Sequence, residues 1–271
     1  MNTGLESVGP LTRTRVDAAL TVAMAKVDQE HTTNWSWRYL ATTIELRGNL
    51  PPVPDPRHRE LMVTGGALLL NLRVLIRGLG VHVAVQTMPD LTQRDLVAVV
   101  RLEGPRTITA EDRALVDAVL LDGPGTAPSG RDPVSKPLFD RLRRAAKVEQ
   151  TWLAQLPDGF HDDRAVAAPP RHGSVAPAPA GSARVVIGTV LDGAATRLQA
   201  GQGMQRVLLT AATGAVPARP MPLALRNPVA RQAVRDQIGG GLWPQAVLVL
   251  GARSAADGGT TLARSTVAGS G

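Results

Sequence analysis

Apolar residues recur at helical spacing through VDAALTVAMAKV, where Val16, Leu20, Ala23 and Val27 share one face, so the pattern predicts an amphipathic helix. The following WRYLATTIELRG, closed by Gly48, predicts a strand, and LPPVPDPRHR, with four prolines, predicts an extended loop. Arg59 to Gly80 carries apolar residues around most of a helical circumference, which predicts a central, buried helix with Gly80 as its C-cap. Gly65 and Gly66 lower helix propensity inside it and imply a close backbone approach at that turn. Val81, Val83 and Val85 then alternate with His82, Ala84 and Gln86, the period of a half-buried strand. VAVVRLEG predicts another strand, and Thr109-Ala110-Glu111-Asp112 opens a helix to about Leu121 in the manner of a capping box.

The second part of the chain is patterned differently. Asp122 to Pro137 is turn chemistry, and LFDRLRRAAKVEQTWLAQL predicts a basic helix. Pro157 to Ala183 is poor in large apolar residues and reads as a linker. Arg184 to Val190 predicts a strand, Leu198 to Ala211 an amphipathic helix ending at Gly214, Arg226 to Ile238 a further helix, and Ala246 to Leu250 a buried strand. The tail from Ala252 is rich in Gly, Ser and Thr. No internal repeat is evident. The expected division is 1–156 as a first half, 157–183 as a linker and 184–271 as a second half.

Composition narrows the chemistry. At 271 residues, 44% apolar and 20% charged, the chain can bury a sizeable core. With no cysteine, thiolate metal sites, disulfides and cysteine nucleophiles are excluded. The five histidines show no metal spacing, no G-x-S-x-G elbow is present, and no Gly-rich phosphate loop follows a strand. The formal charge of +7 rests on arginine, since Lys26, Lys136 and Lys147 are the only lysines; this bias matches a high-GC genome. Arg143, Arg144 and Lys147 would share a solvated helix face, and without aromatic partners or a recognisable module they make nucleic acid an unfavoured partner. No apolar run reaches the length of a membrane span, and no secretion-type segment opens the chain, so a cytoplasmic location is the expectation.

HTTNWSW, residues 31 to 37, places two tryptophans and an asparagine together in a chain with only 4 Trp, 1 Tyr and 2 Phe. Two readings fit: a helix-to-strand turn whose tryptophans fill the core, or a surface for a heterocycle, with Asn34 and the threonines on its edge and Trp35 stacked on its face.

Three blocks, PVPDPRHRELMVTGGALLLNLRVLIRGLGVHVAVQTMPD, LQAGQGMQRVLLTAATG and WPQAVLVLGA, occur in an order that resembles the Acg-like, dormancy-associated actinobacterial branch of the nitroreductase superfamily. The resemblance implies an α+β nitroreductase-like fold, two fused halves with a central buried helix packed on mixed β-sheet. It also implies FMN as cofactor and NAD(P)H as electron donor. In that family a His-Asn-x-Gln-Pro-Trp motif follows the first helix. Here His31 and Trp37 match it, Thr32 stands for its Asn, Asn34 for its Gln and Ser36 for its Pro. The family's first arginine run falls on LLDGPGTAPSGR, leaving Arg131, and its second on LARS, leaving Arg264. The implied flavin contacts are therefore Thr32, Asn34, Trp35, Arg131 and Arg264, with no general acid or base required of the protein. The family's middle lid is replaced by low-complexity sequence, and the chain is expected as a monomer or homodimer. The competing reading is a non-catalytic nitroreductase-fold protein with a regulatory or binding role and no flavin.

Overall fold

The structure is a computed structural model and describes residues 6–27, 33–51, 56–90, 92–121, 134–157, 182–221 and 225–251. A short hairpin, β1 (Ser7–Val8) and β2 (Leu11–Thr12), leads into helix α1 (Arg13–Ala25). Strands β3 (Trp35–Tyr39) and β4 (Thr43–Gly48) follow, then helix α2 (Pro56–Gly78), β5 (Val81–Thr87), β6 (Leu96–Pro105) and α3 (Ala110–Leu120). The remainder runs α4 (Lys136–Val148), β7 (Trp152–Gln155), β8 (Ala183–Thr189), α5 (Ala194–Thr213), β9 (Ala218–Pro220), α6 (Pro228–Gln237) and β10 (Trp243–Leu250).

The α+β class holds. The sheet consists of two four-stranded units, ordered β3-β4-β6-β5 and β7-β8-β10-β9, and every pairing among the described strands is antiparallel. Each half completes its own sheet, so no parallel crossover is needed. The segment read as one strand, WRYLATTIELRG, is a hairpin: Leu40 and Thr43 exchange backbone hydrogen bonds and fold β3 back on β4. The basic helix expected to run to Leu156 stops at Val148, because Gln150 adopts φ +54° and Thr151 turns back to bond the Ala146 carbonyl through both its N–H and its hydroxyl. The chain then pairs as β7 with β8.

The two sheets are copies of one plan. Mapping β3, β4, β5 and β6 onto β7, β8, β9 and β10 converts one strand order into the other, and α1 and α2 then correspond to α4 and α5. Helix α6 is an insertion in the second copy. A trace survives in sequence: Lys-Val-Asp-Gln at 26–29, which follows α1 in the chain, is echoed by Lys-Val-Glu-Gln at 147–150, at the end of α4, and Trp35 and Trp152 open the next strands. By sheet membership the change of half falls between α3 and α4, ahead of the boundary drawn at 156. The low-complexity run connects β7 and β8, neighbours in one sheet, rather than two halves; residues 158–181 of it lie outside the described residues.

Helices α2 and α5 cross at the centre. A Cβ on Gly66 would lie 2.8 Å from Gly201 Cα and 2.9 Å from Gln202 N, and one on Gly201 would lie 2.7 Å from the Val63 carbonyl carbon and 2.9 Å from Gly66 Cα. The two glycines are therefore what lets the backbones touch. Each helix also feeds the other half's core: Leu198 and Leu209 of α5 pack among the side chains of the first sheet, and Val63 and Ala67 of α2 among those of the second. Helix α2 is apolar and long enough to cross a membrane by length and composition, yet 83% of its most apolar window is buried within the protein, as its core position requires. Helix α5 is hidden on nearly every side rather than on one stripe: Gln205 donates to Asn71 Oδ1 at 2.8 Å, and Gln202 and Arg206 are likewise buried and paired.

The capping box at α3 forms as the spacing implies. Thr109 Oγ1 accepts from Asp112 N at 3.1 Å, and Asp112 Oδ2 accepts from Thr109 N at 2.8 Å. Thr109→Ala is expected to cost about 1 kcal/mol, read as a lowered midpoint in urea unfolding with unchanged slope.

Candidate functional site: a groove along the seam of the halves

Of the five residues assigned to flavin from sequence, Thr32, Arg131 and Arg264 lie outside the described residues. Asn34 is half-buried at the start of β3, where its carbonyl accepts from Asn49 N at 2.8 Å. Trp35 is only 5% exposed. Its ring fills the space above two glycines: a Cβ on Gly65 would stand 2.7 Å from Cζ2, and one on Gly48 would stand 2.8 Å from Cζ3. Of the two readings of this tryptophan, its packing is that of a core side chain. The approach inferred at Gly65 is thus an indole, and that at Gly66 a helix backbone. Trp37, the motif's second tryptophan, is partly buried and donates to Met24 Sδ at 3.3 Å.

The copy-related position at the end of α4 opens a cleft of about 330 Å³ between the halves. One wall is the half-buried face of β5, an edge strand, whose alternation presents Val83, Val85 and Thr87. The rest of the lining is mixed, with Val148, Glu149 and Gln150 at the end of α4, Ala195, Gln199 and Gln202 of α5, and Arg73 of α2. Arg73 Nη1 donates to Glu149 Oε2 and to Gln202 Oε1, each at 2.7 Å, and Gln199 donates to Gln150 Oε1 at 3.0 Å. An apolar strip facing amide side chains has the chemistry to take a flat, polar-edged heterocycle. The described lining supplies no hydroxyl or thiol nucleophile beside a base.

One helical turn further along both central helices lies a second cavity, of about 120 Å³, lined by Arg77, Arg106, Arg206, Glu111 and Asp112. Arg206 bridges the two cavities: Nη2 donates to Glu111 Oε1 at 2.6 Å, and Nη1 is 3.5 Å from Glu149 Oε1. Burial and the neighbouring Arg106 hold the Arg77 guanidinium below its ordinary pKa. Burial works to raise the Asp112 carboxyl, but the adjoining Arg106 cation and the Thr109 donors outweigh it and keep the group well below the usual carboxylate range. Sequence reading missed these arginines. Arg73, Arg77 and Arg206 sit inside helices identified by their apolar pattern, where a single cation reads as a solvated face. The available signal was the echo of Lys-Val-Asp-Gln in Lys-Val-Glu-Gln, the second of which ends in the groove-lining Glu149 and Gln150.

No protein-family profile matches the chain. It is similar to two Mycobacterium tuberculosis proteins, from strains CDC 1551 / Oshkosh and ATCC 25618 / H37Rv, each named a putative NAD(P)H nitroreductase. In both cases the identity is 26% over 292 residues, covering 87% of this chain and 84% of the relative. These likenesses support membership of the nitroreductase superfamily. The α+β architecture with its antiparallel sheets is consistent with a nitroreductase-like fold, and the match is long enough to include both halves and the α2–α5 crossing between them.

Proposed function

We propose that this chain is an FMN-binding, NAD(P)H-dependent oxidoreductase of the nitroreductase superfamily, from its Acg-like branch, with its flavin held on the seam between the halves. The observation that carries the reading is the extent of the similarity to the two mycobacterial proteins, which runs through both copies of the fold and through the helix crossing that creates the seams. Thr32 and Asn34 are assigned to the ring edge and Arg131 and Arg264 to the phosphate. Trp35 is assigned to anchoring β3 against Gly65, so that Asn34 is held at the seam. The donor set fits a flavin in kind: a hydroxyl and an amide for the heterocycle edge and guanidinium groups for a dianion. When bound, flavin supplies the hydride chemistry itself. The protein's part is to bind the ring, orient it and leave one face open to the nicotinamide.

A second reading, a nitroreductase fold retained for binding or regulation without flavin, is favoured by one observation: the described face of Trp35 is already occupied by glycine backbone. One experiment separates the two. The purified protein is mixed with excess FMN, desalted, and its visible spectrum recorded, followed by NADPH oxidation with a nitroaromatic or quinone acceptor. Retained flavin absorbance with turnover supports the oxidoreductase. A folded, colourless protein with no turnover sinks it. Asn34→Ala is expected to weaken FMN retention about tenfold, the loss of a buried polar contact, while Gln199→Ala leaves it unchanged. The reverse pattern would place the flavin in the copy-related cleft beside β5.

A further inference from the structure

We infer that the cavity between α2, α3 and α5 is a binding site for a phosphate-class oxyanion, held by Arg77, Arg106 and Arg206. The inference uses none of the residues assigned to flavin and does not depend on that assignment.

Three observations carry it. The cavity, about 120 Å³ in volume, exceeds what one water needs and has room for a tetrahedral oxyanion. Charge is unbalanced along the groove: Arg73, Arg77, Arg106 and Arg206 face Glu111, Asp112 and Glu149, a surplus of one cation in a partly buried setting where a counter-anion is favourable. The donors are also underused. The Arg106 side chain is 10% exposed, and its Nη1, although 2.9 Å from Asp112 Oδ2, is buried without a well-directed hydrogen bond among the described residues. Arg77 Nε stands 3.5 Å from Asp112 Oδ1, too far for a strong bond. Three guanidinium groups with spare N–H donors around one void match the geometry by which arginine takes phosphate.

Glu111 governs access. Its side chain is 70% exposed, yet it binds Arg206, whose side chain is 9% exposed. An entering oxyanion competes with this carboxylate for the Arg206 donors, and Glu111 can swing into water at little cost.

The test is calorimetric titration of inorganic phosphate into the full-length protein at constant ionic strength, with chloride as the control anion and adenosine monophosphate in a parallel arm. Saturable one-site phosphate binding is expected. Arg77→Gln should weaken it about tenfold or more, the loss of one charge-assisted donor. Glu111→Gln should tighten it, because the competing carboxylate is gone. Opposite signs from these two variants, each at a solvent-accessible side chain, distinguish a site from general charge. Tighter binding of the monophosphate identifies a phosphate ester as the ligand class, and equal binding identifies free phosphate. Absence of saturable binding in the wild type, or equal weakening by Arg144→Gln on the exposed face of α4, overturns the inference. All readouts use phosphate with the protein as purified, so failure to retain flavin leaves them unaffected.

Discussion

Gly201→Ala is expected to lower the stability of the whole molecule by about 3 kcal/mol or more, even though alanine is the better helix former. In an exposed helix the change would gain about 1 kcal/mol. Here the added methyl meets backbone, the Val63 peptide and Gly66 Cα, rather than a side chain that can rotate away. Relief requires moving one central helix off the other, and overpacking of that kind typically costs 1–3 kcal/mol and more where the backbone cannot yield. For a chain of this size the loss corresponds to roughly 6–12 °C in thermal midpoint. Gly66→Ala should behave alike, and the double variant should cost less than the sum of the two, because the first substitution already parts the helices. Gly104→Ala provides the contrast. Nothing lies within 4 Å of a Cβ there, and a change within about 0.5 kcal/mol is expected. Equal midpoints for Gly201→Ala and the wild type would refute the close crossing.

The second large effect is expected at Asp192, which precedes α5. It accepts from Arg197 Nε at 3.0 Å, Arg231 Nη1 at 2.7 Å and Gln245 Nε2 at 3.1 Å, and Arg231 also donates to the Pro244 carbonyl. Burial pushes the carboxyl upward, but these donors outweigh it and hold it well below its usual value near 3.8. A depressed folded value means that the carboxylate stabilises the fold above the unfolded pKa and that this stabilisation is lost as pH falls through the folded value. The thermal midpoint should therefore decline below about pH 4. Asp192→Ala leaves Arg231, with a side chain only 10% exposed, without its carboxylate, and should cost about 3–5 kcal/mol at pH 7. Its midpoint should then fall less steeply between pH 4 and pH 2 than that of the wild type. Parallel pH profiles for the two proteins would show that this carboxylate does not carry the acid sensitivity.

What was legible in the sequence follows from how each element is buried. Helix α2 and strand β5 were read within a few residues because their patterns are unambiguous: one is apolar all round, the other alternates strictly. The capping box at Thr109 and Asp112 is a local device and was readable locally. The end of α4 was not, since Gln150 breaks the helix by taking a left-handed conformation that no glycine or proline announces. Helix α5 was read as amphipathic because Gln202, Gln205 and Arg206 look like a solvent face; their partners Arg73, Asn71 and Glu111 come from distant segments. For the same reason Trp35 could be singled out by composition but not assigned, as its neighbour Gly65 belongs to another element. The groove is the extreme case, since each wall comes from a different helix or strand.

The sharing of α2 between the two cores also bears on how the chain is made. Val63, Gly66 and Ala67 have their cover on α5 and on the second half's core, which leave the ribosome long after α2 does. Until then the first half carries a bare apolar stripe along its most hydrophobic helix, the kind of surface that chaperones retain and that aggregates when they do not. Translation that stalls within the low-complexity run would prolong that exposure, whereas smooth synthesis through α5 would end it in a single docking step.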